Sequence, residues 1–219
     1  MQNHTNPTLY ERTRDPARVL ALSDGVFAII LTLLVLEIHI PDLAAGQSLA
    51  AAAREVRPSF IAFLISFVVV AIAWSGHRDL FALIRRTNRA LVWLNVIYLL
   101  PLCVLPFGAS LLARYDRDPV ALKLYGALLI AIAISRLAIW VYATGRSHIL
   151  VAPIDRRSRQ IGVGLEFVQI AGNGIAIVLA DSRPTISLAI YAGIPILYFV
   201  AIAVIRDTAP ADSAAHDFT

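Results

Sequence analysis

Cysteine occurs once in these 219 residues, as Cys103. A lone thiol excludes an internal disulfide, and no Cys/His spacing of zinc-site type surrounds it. Charge is scarce too: only 16% of residues are charged, where a soluble domain carries about a quarter. The sequence contains no HExxH, no Walker loop and no GxSxG. GVGLEF at 162–167 neither matches GxGxxG nor follows a strand, which removes the nucleotide-binding reading. No enzyme constellation, cofactor or bound metal is therefore expected. A TVGYG-like loop is also missing, so cation selectivity from that ring of backbone carbonyls is excluded.

Apolar residues are abundant. They make up 58% of the chain, and the mean hydropathy is +0.72. They arrive in blocks long enough to cross a bilayer as helices of about 20 residues. Six spans are predicted, near 17–39, 59–76, 91–112, 120–143, 161–180 and 185–205. The expected fold is an all-α membrane protein with six transmembrane helices in 17–206, flanked by polar tails 1–16 and 207–219. Pro41 is expected to end the first span. That block is too long for a signal-peptide core, and no clear cleavage site ends it, AAG at 44–46 being the competing signal. SLAAAAREV within 42–58 predicts a short interfacial helix. Residues 77–90 read as a hairpin or a helical extension, and 144–160 as a basic loop. Pro101 and Pro106 are expected to kink the third span.

The net charge is +4 and the pI about 9.6. The basic residues lie between apolar blocks, so they speak to orientation and not to nucleic acid. One side receives twelve: Arg12, Arg14, Arg18, Arg78, Arg85, Arg86, Arg89, Arg146, Arg156, Arg157, Arg159 and Arg206. The other receives six: Arg54, Arg57, Arg114, Arg117, Lys123 and Arg183. The positive-inside rule then puts both termini in the cytoplasm. Arg54 and Arg57 load the first outer loop more heavily than the rule favours.

The first span, RVLALSDGVFAIILTLLVLEIHIP, organises the chain. At 100° per residue, Leu22, Gly25, Ile29, Leu33, Leu36 and Ile40 fall in one stripe. Thr32 flanks it, and Ser23 and Asp24 lie well off it. Two readings fit the stripe. It packs against other helices, or it lines a pore as a dewetting constriction. One helix encloses no pore, so the second reading requires a symmetric oligomer. Polar groups in a membrane helix need protein or water. The candidate partners for Arg18, Ser23 and Asp24 are Trp74, His77 and Asn95. Glu37 at the outer end is either an interfacial charge or part of a cation-concentrating ring. Glu166, Gln169 and Asn173 share a face of the fifth span and are placed to pair with Arg136 of the fourth. That set reads as interhelical pairing. With Gly172 and Gly174, it also supports an alternative: an ion-coupled secondary transporter using helices 4 and 5. A non-conducting scaffold is a third reading.

Arg18-x-x-x-Leu22-Ser23-Asp24, followed by VFAIILTLLVLEIHIP, closely resembles the signature helix of the transmembrane protein 175 family of potassium channels. The resemblance continues through Pro58-Ser59-Phe60, Trp74-x-x-His77, Phe81, Asn95 and Pro106-Phe107. Leu22 departs from the family's aromatic, Arg78 stands where many bacterial relatives have a second histidine, and Gly108 takes a position that is often proline. The resemblance implies a bacterial single-repeat member in the inner membrane, assembled as a homotetramer around a central pore lined by helix 1. It implies potassium, with other monovalent cations, as the permeant ion, at moderate selectivity. It assigns the constriction to Ile29, Leu33 and Leu36, with Thr32 as a pore-facing ring. Arg18, Ser23, Asp24, Trp74, His77 and Asn95 would form a network bracing that helix.

Overall fold

The computed structural model describes residues 15–38, 48, 50, 53–54 and 56–207. Expectations for His39, Ile40, Pro41, most of 42–58 and both tails fall largely outside these. The described chain is helical: α1 (Pro16–Leu36), α2 (Arg57–Ala82), α3 (Arg89–Arg114), α4 (Pro119–Thr144), α5 (Arg156–Leu179) and α6 (Pro184–Asp207). The first five are long and apolar enough to cross a membrane, and α6 contributes the apolar segment Pro184–Tyr198.

Helix starts follow local chemistry. The Asp15 carboxylate accepts from Ala17 N at 2.9 Å, and Pro16 opens α1. Asp118 and Pro119 repeat that pattern at α4. An acidic N-cap satisfies an orphan N–H, and proline at the first helical position gives up only an N–H that had no partner. Asn88 caps α3 through Leu91 N, and Asp155 caps α5 through Ser158 N at 3.1 Å. The Ser158 hydrogen bonds hold the Asp155 carboxyl below its ordinary range. That cap starts α5 at Arg156, earlier than the expected 161.

Two other boundaries move. α1 ends at Leu36 and not at 39, because Glu37 and Ile38 bond three residues back and close the last turn. α2 continues through His77 to Ala82, so the stretch after 76 is a helical extension. Its stripe of Leu80, Phe81 and Ile84 is buried, and this packing carries the helix past the expected end. Beyond it, Ile84 pairs with Leu150 as an isolated antiparallel bridge. Val151 N donates to Leu83 O, and Arg85 N to Ile149 O, at 2.9 and 2.8 Å. Two loops distant in sequence are thereby tied together.

α1 packs on α2 and α3, while α3–α4 and α4–α5 are the most extensive contacts. At Gly108 of α3 an added Cβ would come within 2.6 Å of Leu128 Cδ1, so the glycine permits this close approach of α3 to α4. α3 runs without interruption through Pro101 and Pro106.

Candidate functional site

α1 carries two stripes. Val19, Ser23, Phe27, Ile30 and Leu34 are buried against the protomer. Leu22, Gly25, Ile29, Leu33 and Leu36 stand exposed, roughly 120° away at 100° per residue. Leu34 has no exposed surface, whereas Ile29, Leu33 and Leu36 retain 59%, 42% and 67%. An added Cβ at Gly25 would meet nothing within 4 Å. The stripe selected from the sequence therefore lies within the face of α1 that its own subunit leaves uncovered, a face that also includes Ala21, Ala28 and Val35. Thr32 is exposed beside it, its hydroxyl donating to Ile29 O at 2.8 Å.

The buried stripe is pinned by a polar relay. Ser23 Oγ donates to Val19 O at 2.9 Å. With its proton so placed, the oxygen accepts from Asn95 Nδ2, also at 2.9 Å. The Asn95 amide is thereby oriented with Oδ1 toward His77 Nε2, 2.7 Å away. His77 Nε2 then carries the hydrogen, while Nδ1 has no hydrogen-bond partner. One residue from each of α1, α2 and α3 meets here, and all three are buried.

An aromatic cage surrounds the imidazole. Phe81 stacks on it at 4.4 Å, Tyr98 lies parallel at 5.7 Å, and Phe27 is tilted at 5.7 Å. The Tyr98 hydroxyl donates to Ala73 O. Phe27 and Tyr98 escaped sequence reasoning. Their only signal was aromatic type at core positions, which is indistinguishable from ordinary packing.

A second pin lies nearer the surface. Trp74 Nε1 donates to Asp24 Oδ1 at 2.9 Å. Arg78, the departure from the family's histidine, sits 5.3 Å from the Trp74 ring centroid, in cation–π range. Arg18 is exposed. On the wheel it points along the open stripe, away from the relay. Glu37 is half-buried at the C-cap of α1.

The polar residues of α4 and α5 come together separately. Arg136 and Glu166 form an ion pair with side chains 8% and 6% exposed. Arg136 also lies 4.7 Å from the Tyr198 ring centroid. Gln169 Nε2 reaches Glu166 Oε2 at 3.5 Å, and Asn173 Nδ2 donates to Gln169 O within its own helix. Of the three α5 residues placed by the sequence to pair with Arg136, Glu166 does so, as an interhelical clamp.

Residues 18–106 match the family described as endosomal/lysosomal potassium channel TMEM175. The match begins at Arg18 and takes in α1, α2 and most of α3, the three helices that build the relay. A potassium channel of Chamaesiphon minutus is 34% identical over 178 residues, covering 76% of this chain and 88% of that one. A potassium channel of Streptomyces collinus is 34% identical over 145 residues, covering 64% and 70%. The chain belongs to the TMEM175 family. The crystal structure of a homologue of the lysosomal potassium-selective channel TMEM175, from Chamaesiphon minutus, superposes with a TM-score of 0.76 at 29% identity. The superposition covers 89% of this chain and 98% of that one. The TMEM175 channel fold therefore extends through α4, α5 and α6, beyond the matched residues 18–106. These relatives are channels, and the transporter alternative for helices 4 and 5 finds no support among them.

Proposed function

We propose that this protein is a potassium-permeable cation channel of moderate selectivity in a bacterial inner membrane, passing other monovalent cations less well. Four copies surround a central axis, each contributing α1. All six helices span the bilayer, and both termini lie in the cytoplasm. The observation that carries this reading is the division of α1 into a pinned face and an open aliphatic face. A helix anchored by Ser23, Asn95, His77, Asp24 and Trp74 on one side, with Ile29, Leu33 and Leu36 uncovered on the other, suits a rigid pore lining. Rings of these side chains form a constriction that excludes water until it widens. Thr32 adds a hydroxyl beside the constriction, and Glu37 concentrates cations at the outer mouth. Arg18 lies outside the relay on the open side. Potassium flux from liposomes, measured on protein whose oligomeric mass is determined in parallel, tests the reading. Flux with a tetrameric mass supports it, and a monomer with no flux at any potential refutes it.

A further inference from the structure

A cavity of about 260 Å³ lies where α2, α4, α5 and α6 converge, away from α1. Leu80, Leu83, Trp140, Ile161, Leu165 and Tyr198 form its apolar walls, and the Arg136–Glu166 pair and Asp79 also line it. Ser158, in the first turn of α5, lines it too. That turn also carries Arg156, Arg157 and Arg159, all exposed. The Arg159 carbonyl accepts from Trp140 Nε1 at 3.2 Å, which fixes this turn to a cavity wall. The Ile84–Leu150 bridge brings Arg85 and Arg86 to the same end of the bundle as the loop bearing Arg146. Six exposed arginines thus gather at one end, against Asp79 and Asp155 in the same region.

We infer that this cavity is a binding site for an anionic phospholipid, with the phosphate at the arginine cluster and the upper acyl chain against the apolar walls. A basic cluster beside a greasy interhelical space complements that amphiphile in both charge and polarity. Such a lipid would bridge α2 to α5 and α6, away from the conduction path.

Native mass spectrometry tests this on the full-length protein, transferred from phosphatidylcholine or from mixed phosphatidylcholine–phosphatidylglycerol vesicles. The expected result is selective retention of phosphatidylglycerol, lowered roughly tenfold or more in a variant combining Arg156→Gln, Arg157→Gln and Arg159→Gln. Ser158→Phe keeps every charge and the backbone cap but obstructs the mouth, and it should reduce retention as well. Arg114→Gln with Arg117→Gln, at the other end of the bundle, should leave retention unchanged. Added glycerol 3-phosphate should not displace the lipid. Equal retention of the two lipids, full retention in Ser158→Phe, or an equal loss in the distal control would each overturn the assignment. None of these readouts depends on channel activity.

Discussion

Replacing Asn95 with alanine should loosen α1 more than any change of similar size on its exposed face. Asn95 joins two helices to a third by two buried bonds, at 2.9 Å to Ser23 and 2.7 Å to His77. Ser23 keeps its donated bond to Val19 O and loses only an accepted one. His77 Nε2–H becomes a buried donor with nothing to bond. An orphaned buried group costs about 1–3 kcal/mol, and with the second lost bond the total is about 2–4 kcal/mol. For a chain of this size each kcal/mol lowers the melting midpoint by roughly 2–4 °C. The expected drop is therefore roughly 5–15 °C, read as loss of the monodisperse peak after heating detergent-solubilised protein. Ile97→Ala, on the same helix but 53% exposed, should shift the midpoint far less. A double-mutant cycle of Ser23→Ala with Asn95→Ala should be non-additive by about 1 kcal/mol. If Asn95→Ala melts with Ile97→Ala, and the cycle is additive, the relay does not hold α1.

Other outcomes follow from the same packing. Ile29→Ser and Leu36→Ser alter side chains uncovered in the protomer; they should raise single-channel conductance and weaken discrimination among cations, with little effect on melting. Unchanged bilayer recordings in both variants would count against the constriction. Leu34→Ala, on the fully buried stripe, should instead cost about 2–5 kcal/mol and appear as thermal lability. Glu166→Gln leaves the buried Arg136 charge without its partner and should cost about 3–5 kcal/mol, while flux normalised to folded protein stays intact. A selective loss of flux in that variant would return the α4–α5 pair to the conduction path. Gly162→Val would drive a side chain into the Trp140 ring, and a loss of about 1–3 kcal/mol is expected, checked by the same heating assay.

Much of this architecture was legible because membrane helices announce themselves by hydropathy. The six blocks and the aliphatic stripe of α1 follow from apolar length and a 3.6-residue period, whereas the stripe's standing uncovered in the protomer is tertiary information. The partners of Ser23 and Asp24 were legible for a related reason: polar groups are rare in such helices, so Trp74, His77 and Asn95 were the few available. Boundaries were harder. Pro16 looked like tail, although Asp15-Pro16 is a cap followed by a proline suited to the first turn. The extension of α2 through His77 depends on Leu80 and Phe81 finding a core, which is tertiary information. The Ile84–Leu150 bridge is a pairing between loops more than sixty residues apart, with no local signature. Nor did sequence pattern separate Phe27 and Tyr98, which cage the imidazole, from other core aromatics.

The most direct test is a density map of the assembled protein in lipid. Four α1 helices should surround one axis, with Ile29, Leu33 and Leu36 of each facing it and the Ser23–Asn95–His77 relay behind them. A map with those three side chains turned toward acyl chains at the perimeter, and no conduit between protomers, would contradict a pore built on α1.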